Sequence, residues 1–182
     1  MANTDRPRGA APVKMTNGSS NVPVNAYAVD ASNGTAIFVG DFVKLEADGN
    51  IAPAAAGNRL LGVAVGVDGD LDDLSRRYLP ASTAGTIFVA DHPDTVFELQ
   101  EDDGGTALTA AARGALVDIV AGTDSTTTSI SAHELDQDSV DTTSGQLRLR
   151  SLATNDPNNT YGDNADWLVT IHEHEFTATT GV

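Results

Sequence analysis

The chain has 182 residues, 40% of them hydrophobic, which is enough for one packed core and argues against wholesale disorder. Its 26 acids against 10 bases leave a formal charge of −16, a body that repels phosphate backbones and anionic lipid and so argues against nucleic-acid and membrane partners. With no cysteine there is no disulfide, thiolate nucleophile or cysteine zinc site. Asp supplies 20 of the acids and Glu 6, Thr occurs 20 times, and Lys only twice. Asp favours turns and Thr favours strands, while the usual fillers of exposed helices are scarce, so composition predicts a β-rich protein with many turns.

Residues 1–24, broken by Pro7, Gly9, Pro12 and Gly18, read as an extended arm with little core of its own. Arg6, Arg8 and Lys14 against Asp5 give residues 1–14 a charge of +2 and leave −18 on the rest. Such an arm either frays or reaches onto an acidic neighbour, its own subunit or another. The polar N-terminus lacks the apolar stretch of a signal peptide. The longest apolar run, residues 60–67, is far short of a membrane span, so a soluble protein made in the cytoplasm is expected.

Residues 36–45 (AIFVGDFVKL) read as two short strands joined at Gly40-Asp41, and Asp48-Gly49 is a hairpin signal before Ile51. Residues 60–67 (LLGVAVGV) are apolar on both faces and predict a central strand, with Gly62 and Gly66 permitting close backbone approach. An acidic loop follows at residues 68–73 (DGDLDD), and the spacing of Leu71, Leu74 and Tyr78 allows one or two helical turns. Strands at residues 86–90 and 95–99 flank the turn Asp91-His92-Pro93-Asp94. Residues 108–113 read as a short helix capped by Thr109 and ended by Gly114. Further strands are expected at 116–120, 146–150 and 167–171; in QLRLR the alternation points Leu147 and Leu149 inward and Arg148 and Arg150 outward. Residues 136–145 and 154–164 read as long surface loops. With no helix signal beyond about ten residues, the pattern favours a barrel or sandwich over any βαβ architecture. The expected organisation is an arm, 1–24, and a single β-rich domain, 25–182.

Motifs for chemistry are weak. On a strand, His172 and His174 of His172-Glu173-His174-Glu175 would share one face and could ligate zinc, but no third ligand is evident, and the plainer reading is an exposed terminal strand. The run from Asp68 to Asp73 fails the calcium-loop pattern, with Asp73 where Gly belongs and Leu79 where the bidentate acid belongs. Glu98, Glu101, Asp102 and Asp103 offer carboxylate pairs for glycoside hydrolysis, but nothing sets them across a cleft. His92 and His133 lie in acidic, turn-like contexts and read as solvated. A Gly-x-Ser-x-Gly elbow, a P-loop and a dinucleotide fingerprint are all missing. The expectation is no catalytic residue, no cofactor and no metal, hence a structural or binding role.

Several segments carry a resemblance. Met1-Ala2-Asn3-Thr4-Asp5-Arg6-Pro7-Arg8-Gly9, Val39-Gly40-Asp41-Phe42-Val43-Lys44-Leu45, Leu61-Gly62-Val63-Ala64-Val65-Gly66-Val67 and Tyr78-Leu79-Pro80-Ala81-Ser82-Thr83-Ala84 resemble small virion proteins of tailed bacteriophages, the capsid cement or head-decoration proteins. So do the stretch from Val89 to Asp102 and the strand Trp167-Leu168-Val169-Thr170-Ile171. The resemblance implies a β-tulip or related small barrel with one or two short helices, a jelly-roll sandwich being the alternative. It implies attachment to the major capsid protein on the outer surface of the virion, where subunits meet, and self-association as a homotrimer or a dimer. On this reading Arg6, Arg8 and Lys14 contact acidic capsid patches, and deleting residues 1–20 leaves a folded body that attaches less well. The rival expectations are a carbohydrate- or cell-surface-binding β-module, from the Thr- and Asp-rich loops, and a metal-dependent hydrolase using His172 and His174.

Overall fold

The computed structural model describes residues 3–68, 73 and 75–177. In chain order its strands are β1 (Ala11–Met15), β2 (Asn25–Val29), β3 (Ile37–Phe38), β4 (Phe42–Leu45), β5 (Ile51–Pro53), β6 (Gly62–Val67), β7 (Tyr78–Leu79), β8 (Gly85–Ala90), β9 (Thr95–Gln100), β10 (Leu116–Val117), β11 (Ile119–Ala121), β12 (His133–Leu135), β13 (Leu147–Leu152) and β14 (Asp166–Ile171). The protein is mainly β, as composition predicts. Helical structure among the described residues is limited to 3₁₀ turns; the one at Ala110–Ala112 stands where a short helix was expected, with the Thr109 hydroxyl accepting from the Ala111 N–H. The acidic loop expected at 68–73 falls mostly outside the described residues, as do Leu71 and Leu74 of the expected helical turns; Tyr78, the third residue of that spacing, is instead in β7, paired with Phe38.

Two five-stranded antiparallel sheets dominate, ordered β1-β9-β14-β13-β10 and β2-β8-β6-β4-β5, with two-stranded pairs β11-β12 and β3-β7. None of these sheets closes into a barrel among the described residues. The first sheet turns its inner face (Phe97, Leu99, Leu147, Leu149, Trp167, Val169) onto Phe42, Leu60, Val63 and Ala90, forming one core. On the far side of the second sheet a separate core gathers Val43, Leu61, Ala64, Ile87 and Val89 with Ile37 and Leu79 of the β3-β7 pair. Being covered on both faces explains why residues 60–67 are apolar throughout: Leu60 and Val63 enter the first core, Leu61 and Ala64 the second. β6 is the central strand, and Gly62 is required there, because a Cβ would lie 2.3 Å from the Ala90 carbonyl oxygen and 2.8 Å from Val89 Cγ1.

Residues 116–120 do not form one strand. Asp118 divides them: β10 pairs with β13, and β11 turns away to pair with β12. Its side chain holds the corner, accepting from the Gln146 N–H at 3.1 Å, while its own N–H donates to Ser139 Oγ at 2.7 Å. A polar residue inside an apolar run marks where a strand changes partners.

The N-terminal segment departs most from expectation. Ala11–Met15 is an edge strand on β9, with Met15 and Ala10 buried. Gly9, at φ +69°, lies so close to Gly40 and Ser131 that a Cβ would fall 2.5 Å from the Gly40 carbonyl oxygen and 2.4 Å from Ser131 Oγ, and the Ala10 N–H donates to that same carbonyl at 2.8 Å. Residues 3–15 are therefore strapped along the domain, which is one of the two courses open to an arm with acids on its own subunit.

Candidate interaction face

The outer face of the first sheet is crossed at one end by Arg8, which lies over Glu98 and Asp166, and forms a groove at the other. One row crosses four strands, Lys14 of β1 opposite Val96 of β9, Val96 opposite Thr170 of β14, and Thr170 opposite Arg148 of β13. A bulge between Leu149 and Ser151 inserts Arg150 as an extra residue, leaving it exposed. Arg113, in the turn before Gly114, completes a groove of about 580 Å³ lined by Lys14, Arg113, Arg148 and Arg150 around Val96, Leu149 and Leu168. Lys14, Arg113 and Arg150 have no hydrogen-bonded or ionic side-chain partner among the described residues. Arg148 donates to the Gly114 carbonyl at 2.9 Å and stands 3.3 Å from His172 Nδ1.

Of the three cations singled out in the sequence, Lys14 lies in this groove, whereas Arg6 and Arg8 line a separate cleft of about 650 Å³ toward the other end of the sheet. Arg8 is committed within the chain: its guanidinium binds Glu98 and reaches Asp166 Oδ1 at 3.2 Å. Both carboxylates are nearly out of water, so Arg8 neutralises its own domain and is not a free contact for a partner. The Arg6 side chain is exposed, while its main-chain N–H donates to Gln100 Oε1 at 2.7 Å; the same Gln100 amide donates to Thr4 and Asn164 carbonyls and so ties the strap down. Composition separated a basic segment from an acidic body, but strand pairing adds Arg113, Arg148 and Arg150 to Lys14. The outward pair of QLRLR was the available signal for two of them.

The other candidates dissolve into structure. β14 ends at Ile171, so His172 and His174 do not share a strand face: His172 is exposed and His174 is buried, its Nε2 3.0 Å from the Asp91 carbonyl oxygen and its Nδ1 accepting from the Phe176 N–H at 3.1 Å. Burial lowers its pKa. Among the described residues no group of three or more metal-capable side chains converges. His133 is not solvated. It is 2% exposed, its Nδ1 accepts from the Phe42 N–H at 3.2 Å, and burial pushes its pKa down to about 4. Opposite it, 3.8 Å from Nε2, stands Oδ1 of the buried Asp41, whose pKa burial raises to about 7 against the bonds from Phe38 N–H and Ser131.

Ser131, His133 and Asp41 thus cluster without forming a nucleophilic triad, because Ser131 Oγ bonds the carboxylate and the His133 main-chain N–H, and Nδ1 of the ring is occupied by a backbone donor. Among the acids once paired for hydrolysis, Glu98 is held by Arg8, and Glu101 is fully buried, accepting from the Trp167 indole N–H and from the Leu108 N–H at 3.2 Å. Near Thr160 and Asn164, a cleft of about 230 Å³ is rich in Asn. Asn159 and Asn3 spend their amides on main chain, Asn159 on Ala153 and Asp166 and Asn3 on Thr160, while Asn158 donates to the Asp156 carboxylate.

Compared with known proteins, the chain matches no family model and no curated relative.

Proposed function

We propose that this chain is a structural virion protein that binds the outside of a phage capsid at junctions between major capsid subunits and stabilises the mature head. The observation that carries the reading is the resemblance of the segments from Met1 to Gly9, Val39 to Leu45, Leu61 to Val67 and Val89 to Asp102 to head-decoration proteins. The separation of charge fits it: cations gather on the outer face of one sheet, while the chain as a whole carries −16. An anionic surface turned to solvent keeps particles apart, and many modest contacts per shell add up through multivalency. On this reading the protein associates with itself as a trimer or dimer on the shell and performs no catalysis.

Imaging the source particle tests it. Density for this chain on the exterior of the head, repeated at subunit junctions, is the expected result; density inside the shell or in the tail, or none on the particle, overturns it. Removing residues 1–20 no longer serves as a test of attachment, because it also strips β1 from the sheet. Charge reversal at Lys14 leaves the strand in place and replaces it.

A further inference from the structure

The groove on the outer face of the first sheet holds four of the chain's ten cations and no carboxylate among its lining residues. In a chain with 26 acids, side chains this long would ordinarily pair with one; Lys14, Arg113 and Arg150 form no ion pair among the described residues. We infer that this groove is the docking site for an extended, carboxylate-rich segment of a partner protein.

Geometry and chemistry favour that occupant. Lys14 and Arg148 lie three strand spacings apart along one row, roughly 14 Å, which an extended peptide covers in about four or five residues. Its alternate side chains, about 7 Å apart, then face the sheet together, so acids at every second position meet Lys14 at one end and the Arg148–Arg150 pair at the other. Guanidinium groups present fixed forks that match carboxylates, and arginine clusters are a recurrent means of reading acidic motifs. The floor between them is Val96 and Thr170, both nearly buried, with Leu168 half-buried beside them, and suits the small side chains of such a segment. Single-stranded nucleic acid fits less well. No aromatic side chain lines the groove for bases to stack on, and a long polyanion must run across a strongly acidic surface. A short segment meets only the local field, since exposed charges beyond about 8 Å are largely screened. The groove's chemistry is the same whether or not the partner is a capsid subunit.

Fluorescence anisotropy at about 0.15 M salt tests the assignment with a labelled peptide of about ten residues alternating Glu and Thr, its Gln-Thr counterpart, and an oligothymidylate of like length. The expected result is that the Glu-Thr peptide binds the intact protein, that K14E/R113E/R150E weakens it roughly tenfold or more, and that K44E, which removes a cation elsewhere, changes it by less than about twofold. The Gln-Thr peptide is expected not to bind. None of the three replaced side chains has an intrachain partner among the described residues, so the thermal midpoint of the triple variant should match that of the unaltered protein. Should that variant fail to fold, R150E against R150K gives the same contrast, lysine retaining binding and glutamate losing it. No binding by the intact protein, an equal loss in K44E, or tighter binding of the oligothymidylate than of the peptide would overturn the inference.

Discussion

Asp41 and Glu101 are carboxylates placed where charge is costly, and both are answered by groups that do not carry a full opposite charge. Burial pushes each up to about 7, against the bonds from Phe38 and Ser131 in one case and from Trp167 and Leu108 in the other. Glu134 reaches about 7 as well, through burial and then the neighbouring Asp5, Asp102 and Asp103. An acid whose folded pKa exceeds its unfolded value keeps a proton that the unfolded chain has lost, so these three groups make stability fall as pH rises from about 4 to about 7. His133 and His174, lowered by burial, act oppositely, but the change for His133 runs from about 4 to its ordinary 6.5 and is finished before neutrality. The thermal midpoint should therefore decline between about pH 6.5 and pH 8, in the same direction as the growing self-repulsion of the acids; a rise across that interval in scanning calorimetry would contradict this account. Asp41→Asn keeps an acceptor for the Phe38 N–H at 2.7 Å and removes the group that titrates. It should flatten the decline of the thermal midpoint with pH, since one of the three titrating acids is gone.

At the scale of elements, the strap and the central strand bear the largest consequences. Removing residues 3–15 exposes the edge of β9, unpairs Glu98 and Asp166 and takes Met15 and Ala10 out of the interior, so the midpoint should drop by about 10 °C or more, as read by circular dichroism. Arg8→Ala isolates the charge effect and should cost roughly 2 kcal/mol, because two nearly buried carboxylates lose their shared cation. Gly62→Ala drives a methyl into main chain that cannot yield, and should cost roughly 3 kcal/mol in denaturant unfolding, whereas an unchanged midpoint would mean the two strands can separate. Local pattern was enough for β6, β8, β9, β13, β14 and the Asp48-Gly49 hairpin, because apolar alternation and turn chemistry act within a few residues. It was not enough for β1 or β12. Ala11–Met15 carries Pro, Lys and a bulge, which an edge strand tolerates and which erase the alternation; His133–Leu135 has two polar residues of three, and the burial of His133 depends on Phe42 and Asp41 about ninety residues away.

For the molecule as a whole, the partition of charge was legible only in outline. Counting bases along the chain found a positive N-terminal segment, but which of its cations is spent and which is free follows from folding: Arg8 lies over Glu98 and Asp166, while Lys14 is set beside Arg148 by three strand pairings. No local window contains that neighbourhood. The result is an acidic protein with one cationic sheet face, which orients it in the field of any acidic partner before contact. Association through that face should slow as salt increases from about 50 to 200 mM, measured as an on-rate by stopped flow with the Glu-Thr peptide, while dissociation changes less.

Trp167, the chain's single tryptophan, is shut off from water on the inner side of the first sheet and gives its indole N–H to Glu101. The protein thus contains its own optical probe of the interior. Its emission should be blue in the folded state, shift as the Glu101 carboxyl titrates near neutrality, and stop responding to pH in E101Q. The cationic groove lies on the opposite side of the same sheet, so a ligand can fill it while the tryptophan stays dark to the event, and one cuvette can follow folding and docking as separate colours.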